Sequence, residues 1–140
     1  MAELIYKKES YAIIGAAMEV YNELGPGYLE AVYQEAMEIE MGLRAIPFSS
    51  QQELVIYYRG RLLKKRYTPD LLCYEKIVID LKAIERLTAN DHAQLHNYLN
   101  GTKYELGLLI NFGAQDNLEY KRIAYTEARI GKKNRYSPRF

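Results

Sequence analysis

From about Leu4 to Leu24 apolar residues recur with a helical period, and Tyr11, Ile14, Met18 and Tyr21, at steps of three and four, fall on one stripe of a first helix. Gly25-Pro26-Gly27 ends it, because glycine takes the left-handed backbone that closes a helix and proline cannot continue one. Leu29, Val32, Tyr33, Ala36 and Met37 repeat the pattern and predict a second helix to about Gly42. From Glu53 the period changes. Leu54 to Tyr58, Leu62 to Tyr67 and Ile77 to Ile79 are rich in β-branched and aromatic residues and predict three successive strands. Arg59-Gly60 supplies a tight turn between the first two, and the Cys73 to Lys76 region a connection to the third, so an antiparallel meander is expected. Thr88-Ala89-Asn90-Asp91 reads as a helix-start box with Asp for the usual Glu. His92, Leu95 and Leu99 mark the stripe of that third helix, which ends at Gly101. Leu106 to Ile110 predicts a strand covered on both faces, and Ile123 to Tyr125 one more. The order is α-α-β-β-β-α-β-β.

With 140 residues and 49% hydrophobic residues, the chain fits one globular domain over 1–127, followed by a basic tail at 128–140. A chain of this length buries roughly two-thirds of its unfolded surface and needs no disulfide or metal to hold a core. Cys73 is the only cysteine, which excludes an intrachain disulfide, a zinc ribbon and an Fe–S cluster. No stretch has the length of a membrane span, and the start lacks the apolar segment of a secretory signal, so no membrane partner and a cytoplasmic location are expected. The net charge of +1 hides an imbalance: residues 1–40 carry eight acids against Lys7 and Lys8, whereas basic residues cluster in Arg59, Arg61, Lys64, Lys65 and Arg66 and in Arg129, Lys132, Lys133, Arg135 and Arg139. Such clusters can neutralise phosphates; a solvated hairpin and a frayed tail would look the same in sequence.

In the third strand Val78, Asp80 and Lys82 share one face, and Ile77, Ile79 and Leu81 the other. Asp70 stands ten residues before Asp80, after Pro69, so a hairpin would set the two carboxylates side by side. Two close carboxylates repel unless a cation lies between them, and a hard cation such as Mg²⁺ is commonly held by one or two carboxylates plus phosphate oxygens. The ammonium of Lys82 could orient water or offset developing charge, which makes phosphodiester hydrolysis the candidate chemistry. Glu119-Tyr120-Lys121 offers the same acid–x–Lys spacing without an upstream Pro-Asp, and an exposed salt-bridged strand is the plain alternative for either. On the third helix Gln94 and Tyr98, four apart, share a face. On the second, Glu30 sits three before Tyr33, at the edge of the apolar stripe or, alternatively, as an exposed acid favoured by the helix dipole. His92 and His96 have the spacing of a transition-metal pair, but Ala93 replaces the Glu of the zincin motif, and His92 is expected to pack beside Leu95. Cys73 is expected as a buried thiol, and Tyr11, Tyr21 and Tyr33 as core residues.

Gly27-Tyr28-Leu29-Glu30-Ala31-Val32-Tyr33 matches the signature of the GxxExxY proteins. Pro69-Asp70, Asp80-Leu81-Lys82 and Gln94-x-x-x-Tyr98 follow in the order of the PD-(D/E)XK nuclease superfamily, which the chain resembles over roughly residues 5–126. The resemblance implies a restriction-endonuclease-like αβββαβ core, a mixed sheet flanked by helices, with an extra N-terminal helix. It further implies that Asp70 and Asp80 ligate Mg²⁺ or Mn²⁺, that Lys82 is the catalytic lysine, and that Glu30 is an extra metal ligand. Gln94 and Tyr98 match the QxxxY element of the RecB-like branch, which lies beside the active site. Asp80 stands where that triplet more commonly carries Glu, and is one methylene shorter.

Three readings follow. The first is a metal-dependent nuclease acting on nucleic acid, DNA ahead of RNA. The second is a catalytically inactive binding module or assembly subunit that keeps the nuclease fold and contacts nucleic acid through the basic hairpin and tail. The third adds a homodimer formed through the acidic first helices.

Overall fold

The computed structural model describes residues 4–125; the basic tail read at 128–140 lies outside the described residues. Helices α1 (Lys7–Leu24) and α2 (Glu30–Leu43) are followed by strands β1 (Phe48–Ser50), β2 (Leu54–Tyr58), β3 (Arg61–Tyr67), β4 (Leu71–Cys73) and β5 (Ile77–Lys82). Then come α3 (Ala89–Thr102), β6 (Leu106–Asn111) and β7 (Glu119–Ala124). Five strands form a mixed sheet in the order β1-β4-β5-β6-β7, and β2 and β3 form a separate two-stranded sheet. Within the large sheet β5 and β6 run parallel and the other neighbours antiparallel.

The sheet has two apolar faces, as the alternation in β5 requires. Ile77, Ile79 and Leu81 join Leu106, Leu108 and Ile110 against α1 and α2, whereas Val78 and Leu109 pack with Leu95 and Leu99 of α3 and with Leu54 and Tyr67 of the small sheet. All six residues of β6 are buried, as expected for a strand with layers on both sides. Among the described residues no helix is long and apolar enough to cross a membrane.

The expected meander is corrected. Its first two strands form their own sheet, and β5 pairs instead with β4, which in turn pairs with β1. Pro69 supplies the break: it has no N–H to continue a ladder, so the chain leaves one sheet at Tyr67 and enters the other at Leu71. The stripe on α1 is corrected as well. Tyr11 is 81% exposed and Met18 is exposed, while the face against the sheet is Ile13, Ala16, Ala17, Val20 and Tyr21. The small alanines let the helix approach the strands, and only Tyr21 belongs to both stripes. Likewise Leu29 and Val32 are exposed, and α2 buries Tyr33, Met37 and Met41. His92 is exposed rather than packed beside Leu95, because the buried face of α3 is Leu95, Leu99 and Thr102.

Candidate active site

The antiparallel pairing of β4 with β5 sets Leu71 opposite Ile79, so one further step of the register brings Asp70 opposite Asp80. Asp70 is fixed from two directions. Its Oδ2 accepts the Leu81 N–H at 2.6 Å, and its carbonyl accepts Nε2 of Gln34 at 2.9 Å and the Gln51 N–H at 3.2 Å. Asp80 shares the face of Val78 toward α3, and Nζ of Lys82 lies 3.8 Å from its Oδ2, with both side chains largely shielded from solvent. Burial is the main cause that raises the Asp80 carboxyl to about 7; Lys82 opposes the rise, while Asp70, by charge and by a shared hydrogen bond, and then Glu30 add to it. The charged form of Asp80 is thus disfavoured by burial and by the neighbouring carboxylates, and Lys82 offsets only part of this.

Glu30 occupies the first turn of α2, exposed at the rim. Partial burial, and then the negative charge of Asp70, raise its carboxyl, with Lys82 opposing, so its charge is felt by the same group of residues. Tyr33 explains how the loop before it is built. Its hydroxyl donates to the Gly25 carbonyl at 2.5 Å and accepts the Tyr28 N–H at 3.2 Å, and its ring stacks on Phe112 with centroids 4.7 Å apart. Gly27 sits at φ 118, a backbone that side chains rarely adopt. The glycine and tyrosine of the Gly27-to-Tyr33 segment therefore fix where α2 starts, and Glu30 is delivered at that start.

On α3, Tyr98 stacks on Tyr67, centroids 4.0 Å apart and planes within 5°. The Tyr67 hydroxyl is buried without a hydrogen-bond partner among the described residues, and its ionisation is opposed first by burial and then by Asp80 and Asp70. Gln94, by contrast, is exposed. The structure thus brings together Asp70, Asp80 and Lys82, with Glu30 within electrostatic reach and Tyr98 behind Tyr67. Among the described residues no three His, Cys, Asp or Glu side chains are grouped as a ready metal cage. Two carboxylates on one small patch nevertheless suit a divalent cation that keeps several waters, and the Asp80 carboxyl, raised first by burial and then by Asp70, is one whose charged form a cation would favour.

Other candidates find different employment. Glu119 of the competing triplet accepts from the Leu87 N–H and from Nδ2 of Asn111, each at 2.9 Å. His96 packs edge-on against Tyr125. Cys73 is buried, its Sγ 3.7 Å from the Met41 sulfur, and burial pushes the thiol up to about 12. Three contributors were not anticipated from the sequence: Gln34, Tyr67 and Asn111. Gln34 had a signal, since it lies four residues after Glu30 on the same helix face. Asn111 holds the end of β5 through the following loop: Oδ1 accepts the Ile84 N–H at 2.9 Å and the Gly113 N–H at 3.0 Å, and Nδ2 donates to the Ile84 carbonyl at 2.9 Å.

Comparison with solved structures finds the crystal structure of SSO0001 at a TM-score of 0.51 and 19% identity, over 89% of this chain. The match covers 61% of that structure's chain, so the present sequence spans about three-fifths of its length, and the likeness is one of fold. No match is found among curated protein sequences. A family model described as the PD-(D/E)XK nuclease superfamily matches residues 7–123, from the first turn of α1 into β7 and across every residue of the acidic site. The chain belongs to the PD-(D/E)XK nuclease superfamily.

Proposed function

We propose that the protein is a metal-dependent nuclease of the GxxExxY family, within the RecB-like branch, and that it hydrolyses phosphodiester bonds in nucleic acid, DNA ahead of RNA. The reading treats residues 1–127 as one catalytic domain in the cytoplasm. The observation that carries it is the juxtaposition of Asp70 and Asp80 beside Lys82, where the chain enters β4 and β5 runs to its end, with the Asp70 carboxylate held by the Leu81 N–H.

Asp70 and Asp80 are the residues that would hold Mg²⁺ or Mn²⁺, with Glu30 as a further oxygen donor from the rim. When bound, such an ion supplies charge to the scissile phosphate and acidifies water. Lys82, the last residue of β5, orients the attacking water or offsets negative charge growing on the phosphate. Tyr98 supports Tyr67 from behind by stacking, and Gln94 is available from the exposed side of α3 to an incoming strand.

The test is a nuclease assay on labelled single-stranded, duplex and branched substrates with Mg²⁺ or Mn²⁺. Cutting that needs the metal, and that disappears in Asp80→Asn and in Lys82→Ala while thermal unfolding stays within a few degrees, is the expected result. Absence of cutting on every substrate, together with no Mn²⁺ binding by calorimetry that depends on Asp80, would remove the proposal.

A further inference from the structure

The β2–β3 pair is an arm rather than a part of the main sheet. Its base is anchored: Leu54 and Tyr67 are buried with Val78, Leu95 and Leu99, and Tyr67 stacks on Tyr98 three residues before Asp70. Beyond that base, the first six residues of β3 are all exposed. Residues 54–67 contain five cations, Arg59, Arg61, Lys64, Lys65 and Arg66, and no acid. None of the five pairs with a carboxylate among the described residues.

One of the five has a structural task. Between the Val55–Arg66 and Tyr57–Leu62 pairs, β3 takes four steps where β2 takes two, so two extra residues bulge from the middle of the arm. The Arg66 guanidinium donates to the carbonyls of Leu63 and Lys64 and so locks that bulge. Arg59 and Gly60, at φ 51 and φ 76, form the tip. Arg61, Lys64 and Lys65 are left with ammonium or guanidinium groups in solvent, beside exposed Tyr57 and Tyr58.

We propose that this arm is the nucleic-acid contact surface of the protein, gripping backbone phosphates on the way to the acidic site. The inference rests on the nuclease reading and adds to it where the polyanion lies. Strand β3 is about 20 Å long at roughly 3.3 Å per residue, enough to lie beside several successive phosphates of one strand, whose charges its cations can neutralise. Its lower end is the segment Tyr67-Thr68-Pro69-Asp70, so a backbone held along the arm runs toward the two carboxylates. Without a bound cation those carboxylates repel phosphate, and a cationic run leading to them offsets that repulsion. Tyr57 and Tyr58 add aromatic faces on which unpaired bases can stack.

The test uses the full chain without divalent metal, so that binding is read apart from cutting, with fluorescein-labelled 20-nucleotide single strands and 20-base-pair duplexes as probes. Affinity is measured across salt for the wild type, for the triple variant Arg61→Ala/Lys64→Ala/Lys65→Ala, and for a reference variant Lys7→Ala/Lys8→Ala on α1. Each lost phosphate contact lowers the salt slope by about 0.9 on duplex and about 0.7 on single strands. The arm variant is expected to lose two to three contacts and at least tenfold in affinity, with an unchanged thermal midpoint; the reference variant keeps the wild-type slope. The slope that changes identifies which probe the arm holds. Binding by the wild type with an unchanged slope in the arm variant, or an equal loss in the reference variant, overturns the arm and leaves the nuclease reading standing. No binding of either probe by the wild type at low salt overturns the arm, while the nuclease reading stands or falls on the metal-dependent cutting assay.

Discussion

Two tyrosines show how differently one side chain can be used. Tyr33 is fully buried with its hydroxyl both donating and accepting, whereas Tyr67 is nearly buried with its hydroxyl unpartnered among the described residues. Removing a buried hydroxyl that has partners strands those partners, at a cost of roughly 1–3 kcal/mol; removing one without partners relieves a desolvation penalty. The two Phe substitutions should therefore have opposite signs. Tyr33→Phe is expected to lower stability by about 2 kcal/mol and Tyr67→Phe to raise it by about 1 kcal/mol, read from denaturant midpoints at constant slope. A loss of stability in Tyr67→Phe would show that the hydroxyl has a bridging partner. The sequence displays 14 tyrosines and gives no sign of which hydroxyls are satisfied, because that depends on residues as distant as Gly25 and on the loop they belong to.

At the scale of elements, what was legible depended on whether the signal was local. The start of α3 was: Thr88 caps the helix with Oγ1 accepting the Asp91 N–H, and Asp91 returns the bond to the Thr88 N–H at 2.8 Å. That hydrogen bond to the Thr88 backbone, more than any other cause, lowers the Asp91 carboxyl below its ordinary range. A depressed carboxyl contributes stability above its unfolded pKa and loses it as pH falls through its folded one. Thr88→Ala should cost about 1 kcal/mol at neutral pH, and Asp91→Asn should flatten the acid limb of the stability profile; a limb as steep as the wild type's would assign the acid sensitivity elsewhere. The three-residue strands β1 and β4 were not legible, since Leu71, Leu72 and Cys73 are all buried and show no alternation. Nor was the tight closure after β6. A Cβ on Gly113 would stand 2.3 Å from the Ile84 carbonyl oxygen and 2.5 Å from its nitrogen, both backbone atoms. Gly113→Ala must push that loop aside, and with it the Asn111 bonds beyond Lys82, so a loss of about 3 kcal/mol is expected. An unchanged unfolding midpoint would mean the loop yields freely.

The whole molecule divides its labour across the sheet. One side, covered by the acid-rich α1 and α2, buries the larger core; the other carries α3, the basic arm and the paired aspartates. The Asp70–Asp80 pair was legible because a hairpin register is a short-range rule, and the arm's cations were visible as a charge run. That the arm would leave the sheet was not, because only the competition among strands for neighbours decides it. This division predicts an ordering of local stability. Amides in β5 and β6, paired on both sides and buried on both faces, can exchange only by global opening, whereas β2 and β3 pair with each other alone and pack on α3 at their base. Native-state hydrogen exchange should therefore find β5 and β6 slowest, the base of the arm at Leu54 and Tyr67 intermediate, and Tyr57 to Leu62 fastest, with open states at least tenfold more populated than in β6. Added nucleic acid should slow the arm selectively and leave β6 unchanged. Arm amides as protected as β6 in the free protein would mean that the hairpin is welded to the core and that its exposed cations sit on a rigid shelf rather than on a separately opening element.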